Sequence, residues 1–326
     1  MKLILSTSNI MTGTTAIRRP TFEKSNTELT TSLRHNFTAH QTLSQPPTNG
    51  STPNSPKPSF RTWTTQDADT LYIPSHHPSP LTEPRDSYDI TVKLFYLPNI
   101  PASRRCLQTR EALNLVLREL GTESIDLLIV SFPGISFDAD DEESSSDSDY
   151  IDDNTPPSAP PSDPTSTDEE DEEETLPEDM STMLQTWHTL ETLHSAGLVS
   201  KLGIAEFGCA RLSKFLPSTT VRPSVNQINV RDCCVVPKPL ILFAKKEGIE
   251  LLTHNDCTNV LPRGTLREIL RSGEQGAGVL GENAGNGEGE VLSGDVEPQF
   301  VVKYTAVVKD RGVVENKGYF AVAELR

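Results

Sequence analysis

Four groups of residues in this 326-residue chain have types and spacings suited to chemistry. Gly276-Ala277-Gly278-Val279-Leu280-Gly281 matches the GxGxxG pattern of dinucleotide-binding loops. That chemistry needs a strand before the loop and a helix N-terminus after it, so that backbone amides meet a pyrophosphate. Here a helical pattern precedes it and further Gly and Glu follow, so a flexible loop is the better reading. Cys233-Cys234 is a vicinal pair of the kind that makes redox switches. No second Cys/His pair stands at a zinc-ligand spacing, and buried or interfacial thiols account for the pair better. His254 directly follows an apolar stretch, where a parallel strand would present it at a C-terminal end. A lone strand-end His is more often structural than ligating. Ser144, Ser145, Ser146 and Ser148 lie among Asp and Glu, a context that acid-directed kinases favour.

Charge narrows the function classes. The chain has 46 acidic and 29 basic side chains, a formal net charge of −17. A nucleic-acid binder working by phosphate neutralisation needs a basic face, and this balance argues against one. Residues 138–179 alone hold 19 Asp and Glu and no Lys or Arg. The rest carries 27 acidic against 29 basic residues, so the acidity belongs to one segment. Its Pro, Ser, Asp and Glu cannot bury enough apolar area to offset ordering entropy, which predicts a disordered insertion. No run approaches the ~18 apolar residues of a membrane span. Five cysteines without a CxxC pattern predict free thiols in a reducing compartment.

The elements that must position these residues alternate. Residues 3–9 read as a strand, and Ser25-Asn26-Thr27-Glu28 is a capping box opening a helix. Residues 44–84, with nine prolines, read as a Pro-rich linker or loop between residues 1–43 and the body of the chain at 85–326. Strands are predicted at 89–97, 125–131, 201–206, 224–230 and 249–254. Helices are predicted at 103–120, from 181 to Gly197, 210–216, 238–247 and 263–271, with Leu107, Leu113, Val116, Leu117 and Leu120 of the first turned inward. A Gly-rich loop spans 273–295, then a helix at 299–309, a short strand at 312–314 and a tail. Repeated βα alternation argues for a parallel sheet. Without the acidic and Pro-rich stretches 243 residues remain, close to the roughly 250 of a (β/α)₈ TIM barrel. An open doubly wound sheet fits the pattern too.

Two stretches carry a family resemblance. One runs from Pro223-Ser224-Val225-Asn226-Gln227-Ile228-Asn229 through Cys233-Cys234-Val235-Val236-Pro237 and Phe243-Ala244-Lys245 to Leu251-Leu252-Thr253-His254-Asn255-Asp256. The other is Tyr304-Thr305-Ala306-Val307-Val308-Lys309-Asp310-Arg311-Gly312-Val313-Val314-Glu315-Asn316-Lys317-Gly318-Tyr319. Together they resemble the regulatory (modifier, or light) subunits of glutamate–cysteine ligase, themselves similar to aldo-keto reductases. The resemblance implies a degenerate (β/α)₈ barrel of aldo-keto reductase type. It further implies a cytoplasmic, non-catalytic partner that forms a heterodimer with the ligase catalytic subunit. Such a partner improves glutamate use and weakens glutathione feedback in the first step of glutathione synthesis, with no cofactor, nucleic acid or membrane of its own. An NADPH-dependent aldo-keto reductase is the alternative.

A reductase of this kind needs a Tyr that protonates the carbonyl, a Lys that lowers its pKa, an Asp paired with that Lys and a His that orients substrate. The resemblance places Lys93 at the Lys position, while the strand due to end in the His ends instead in Ser131-Phe132-Pro133. Tyr72, five residues after Asp67, has the expected spacing, but Pro74, Pro78, Pro80 and Pro84 follow where a helix should stand. On the cofactor side, Ala205-Glu206-Phe207 replaces Ser-Asn-Phe, and a carboxylate cannot donate to the nicotinamide amide oxygen. Gln227 is kept, His254 replaces the ring-stacking Tyr, and Lys317 stands at the cofactor-phosphate position. The resemblance thus implies vestigial catalytic positions at Lys93 and Ser131. It implies vestigial cofactor positions at Glu206, Gln227, His254 and Lys317, with no metal site, and a thiol or interface role for Cys233 and Cys234.

Overall fold

The computed structural model describes residues 1–12, 25–44, 57–137, 177–229, 236–257, 259–273, 275–281 and 291–326. The serines at 144–148, Cys233 and Cys234, and nearly all of the acidic segment lie outside them. The chain forms β1 (Lys2–Ser6), α1 (Ser25–Leu43), β2 (Thr65–Asp67), β3 (Thr70–Ile73), β4 (Tyr88–Tyr96), α2 (Arg105–Leu120), β5 (Ile125–Ser131), α3 (Met180–Ser195), β6 (Val199–Ala205), α4 (Cys209–Phe215), β7 (Val225–Ile228), α5 (Lys238–Glu247), β8 (Glu250–Thr253), α6 (Thr265–Leu270), β9 (Val296–Val308) and β10 (Val313–Leu325). None of the described helices is long and apolar enough to cross a membrane.

From β4 to β8 the predicted βα alternation is realised. The five strands pair in parallel, each joined to the next through one of α2 to α5. Local signals set the boundaries. Gly121 ends α2 in the left-handed region at φ 61°. The Asp179 side chain caps α3 by accepting the Thr182 amide, and hydrogen bonds from Ser181 and Thr182 hold its carboxyl down at about 2. The apolar residues of β5, β6 and α3 fill one core with Trp187 and Phe215.

The strands hydrogen-bond in the order β2-β3-β1-β10-β9-β4-β5-β6-β7-β8, a mixed α/β sheet whose β4–β8 half is wholly parallel. Among the described residues this order has two ends, β2 and β8, so strand pairing itself does not close into a ring. The sheet nevertheless curls. The Lys93 Nζ on β4 lies 2.7 Å from the Asp256 carboxylate just beyond β8, four strands away. A flat sheet would separate them by roughly 19 Å at ~4.8 Å per strand.

Four expectations fail here. The 299–309 helix and the strand and tail after it are instead β9 and β10, a long antiparallel hairpin between β4 and β1. Phe300, Val302, Tyr304 and Val322 face α2, while Val301, Tyr319, Ala321 and Ala323 face α1 and α6. Both faces are covered, so the apolar pattern is continuous rather than alternating, and β-branched residues favour the strand. Pro298 fits because it sits at the bulge between Val322 and Ala323. Second, the Pro-rich stretch supplies β2 and β3, with Leu71 and Ile73 buried on the same side as Leu3 and Leu5. Third, Leu107 is 71% exposed rather than turned inward. Fourth, in the Gly-rich loop, Ala277, Val279 and Leu280 are buried, packed with α6 rather than loose.

Gly318 shows how tightly the hairpin is packed. A Cβ there would lie 2.6 Å from the Ser8 carbonyl and 2.7 Å from the Tyr304 ring. Gly318→Ala is expected to lower stability by about 1–3 kcal/mol, the usual cost of overpacking, read as a fall in the urea midpoint at unchanged slope.

Candidate active site

The strand ends assemble one buried ionic cluster on the inner face of the curled sheet. Lys93 projects from β4, on the face opposite Val92 and Leu94. Lys303 lies directly beside it in the β4–β9 register, and Tyr319 follows Lys303 on β10. Asp256 receives both cations: Lys93 Nζ donates to Oδ2 at 2.7 Å and Lys303 Nζ to Oδ1 at 3.0 Å. Burial alone would raise the Asp256 carboxyl, but Lys93 and Lys303 outweigh it and hold the group well below the ordinary carboxylate range. Lys93 shifts down as well, because burial, with Lys303 beside it, outweighs the pull of Asp256 and Glu206.

A second arm joins this cluster. Glu206 follows β6 with φ 66°, a left-handed conformation uncommon outside Gly, Asn and Asp. The turn folds its carboxylate inward, where Oε2 accepts from the amides of Phe137 at 3.2 Å and Asn229 at 3.4 Å. His254 Nε2 faces Glu206 Oε1 at 2.5 Å. His254 Nδ1 accepts the Asp256 amide at 2.9 Å, which leaves the ring proton on Nε2 toward that carboxylate. Asn229 also donates to the Asp256 carbonyl at 3.0 Å. Every charged group has a partner, and the arrangement is a lock between the ends of β4, β6, β7 and β8.

The positions singled out from sequence divide. Lys93, Glu206 and His254 come together in the cluster. Ser131 ends β5 opposite Phe95, at the rim of the same face. Gln227 lies on β7, and its side-chain oxygen is buried without a hydrogen-bond partner. Lys317 is apart, on β10, where its Nζ meets Glu28 of α1 at 2.5 Å. Tyr72 is on the wrong face. It pairs with Ile4 and packs into the α2-side core, whereas Lys93 faces the other side. The remaining described tyrosines are committed elsewhere. Tyr88 donates to Glu315, Tyr96 pairs with Thr109, Tyr304 donates to Glu119 and Tyr319 donates to Glu28. No described phenol is therefore placed to be activated by Lys93.

Asp256 and Lys303 were missed as site residues. Asp256 stands two residues beyond His254, and that spacing was its only signal. Lys303 was hidden by the helix assignment; the strand alternation Val301, Lys303, Thr305 would have placed it beside Lys93.

The sequence model described as "Aldo/keto reductase family" matches residues 78–268. A mouse protein named glutamate–cysteine ligase regulatory subunit is 29% identical over 140 residues, 43% of this chain and 46% of that protein. The chain thus spans about half the length of that relative. A fission-yeast protein named putative glutamate–cysteine ligase regulatory subunit is 25% identical over 74% of this chain and 73% of its own length. Maize deoxymugineic acid synthase 1 is 31% identical over 29% of this chain and 34% of that enzyme.

Breaking the lock should be asymmetric. Asp256→Asn leaves two cations facing each other and is expected to cost about 3–5 kcal/mol. Lys93→Met leaves Asp256 paired to Lys303 and should cost less, as urea denaturation at neutral pH will read. A depressed carboxyl pKa stabilises the fold above the unfolded value near ~4 and loses that contribution as pH falls below it. The gap between wild type and Asp256→Asn should therefore narrow below about pH 4.

Proposed function

The chain belongs to the aldo/keto reductase family, and we propose that within it the chain is a non-catalytic regulatory subunit that binds the catalytic subunit of glutamate–cysteine ligase. The observation that carries the reading is the absence, among the described residues, of any tyrosine hydroxyl at Lys93. Carbonyl reduction needs a proton donor beside that amine. Here the amine is held by Asp256 instead, and Ser131 offers only a hydroxyl at the rim.

The nicotinamide side supports the same reading. Glu206, whose family counterpart would hold the nicotinamide amide, is occupied by two backbone amides and His254. Lys317, at the family's phosphate-binding position, is neutralised by Glu28. On this proposal Lys93, Ser131, Glu206, Gln227, His254 and Lys317 are inherited positions that now hold the fold together. The similarity to regulatory subunits from mouse and fission yeast supplies the partner. The subunit would act in the cytoplasm as one half of a heterodimer. It would favour the catalytic-subunit conformation that it binds better, improving glutamate use and weakening glutathione feedback.

The competing reading, an NADPH-dependent reductase, draws on family membership and on the shorter similarity to the maize synthase. Mixing the full chain with glutamate–cysteine ligase catalytic subunit should give a co-eluting complex and a lower glutamate KM. NADPH titrated into the chain alone should leave its fluorescence unchanged. Saturable NADPH binding with neither a complex nor a KM change would replace the proposal with the reductase.

A further inference from the structure

A cleft of about 430 Å³ opens on the opposite face of the sheet from the ionic cluster, between α2 and the β1–β3 pair. Lys2, Ile4 and Tyr72 form its sheet wall, and α2 forms the other. Two ridges of α2 line it. Leu107, Glu111 and Leu115 repeat at i, i+4 and i+8, and Arg110, Asn114 and Arg118 repeat beside them. On this face α2 packs over β4, β9 and β10. The first helix, α1, lies on the other face, with Leu29 and Leu33 against Leu3 and Leu5. The outer side of β1 and β3 is thus bordered by α2 and left with a space beside it.

The walls combine apolar surface with two cations that have no ion-pair partner among the described residues. Leu107 is 71% exposed, although it lies on the first turn of a helix whose other face is buried. Lys2 is satisfied by Glu111 at 2.7 Å. Arg110 and Arg118 have no ion-pair partner among the described residues. Eight residues of α-helix place the two guanidinium-bearing positions about 12 Å apart along the axis. One small anion cannot bridge that distance. A second helix packed alongside at the usual 8–10 Å presents carboxylates at i, i+4 and i+8 with the same spacing.

We propose that this cleft is a docking groove for an acidic amphipathic helix of a partner protein. Its carboxylates meet Arg110 and Arg118, and its apolar face covers Leu107, Leu115 and the Tyr72 ring. This is helix-in-groove recognition, with the apolar wall supplying contact area and the two arginines setting register and sign.

The test uses the full chain and a fluorescein-labelled, helix-forming peptide of roughly 20 residues, with Glu at every fourth position and Leu on the adjacent face. Anisotropy should show saturable, salt-sensitive binding. Arg110→Glu/Arg118→Glu should weaken it by roughly tenfold or more, and Leu107→Ser should weaken it at unchanged salt dependence. All three residues are exposed, so circular dichroism should confirm an unchanged fold. No saturation up to about 1 mM peptide, equal binding by the charge-reversed variant, or equal binding of a Lys-for-Glu peptide would overturn the proposal. Self-association of the peptide-free chain that the double reversal abolishes, seen by sedimentation, would make a second copy the occupant and overturn it as well.

Discussion

A buried carboxylate between two ammonium groups governs this molecule. Asp256 is 5% exposed, in an environment where an unpaired charge would be prohibitively unfavourable. Lys93 reaches it from the fourth strand and Lys303 from the ninth, while its own backbone is tied to His254 and Asn229 beyond the seventh and eighth. The curl of the sheet follows from this. Strands far apart in the hydrogen-bonding order must converge on Asp256, because its buried charge and that of Lys93 need a counter-charge there. The left-handed Glu206 has the same logic, since its conformation is compensated by two amides and an imidazole that nothing else satisfies.

This economy has a chemical cost. A lysine that tunes a neighbouring phenol must have its charge available to that phenol, and a pocket that takes a dinucleotide must leave polar groups unsatisfied until the ligand arrives. Here the polar groups answer one another. The inner face retains family residues, yet the charges of Lys93, Glu206 and His254 are paired with one another or with Asp256, while the buried side-chain oxygen of Gln227 has no hydrogen-bond partner among the described residues. Function is then sought at outward surfaces, where Arg110 and Arg118 have no ion-pair partner among the described residues.

Much of the fold was legible in the sequence because its middle obeys simple periodicities. The βα alternation from β4 to β8 follows apolar runs and Gly stops closely, and α5 begins and ends where its pattern does. The hairpin was missed for a physical reason. Strands covered on both faces lose the two-residue alternation, and residues 299–309 are apolar enough to suit a helix as well as a strand. Leu71 and Ile73 were hidden among prolines, whose density marks where a chain cannot be helical better than where it is unstructured. Lys93, Glu206 and His254 could be named by position, but their mutual pairing depended on Asp256 and on a curl that no local pattern encodes. Tyr72 had the right spacing on the wrong face, a distinction decided by strand register.

The hairpin also sets an order of events in time. Its strands lie between β1 and β4, so the first strand of the chain bonds to a neighbour some 300 residues later, Lys2 opposite Glu324. As the chain leaves the ribosome, the β4–β8 units can pack as they appear, since each contacts its sequence neighbour. The β1–β3 pair has no such route to the rest of the sheet. Until β9 and β10 are made, its inner edge and the free edge of β4 stay open to other chains. Closing a loop of that length is slow, and pairings between distant segments are the ones that delay folding most. The hairpin that joins the two parts of the sheet is made after both of them, so their strand edges stay uncovered until it pairs.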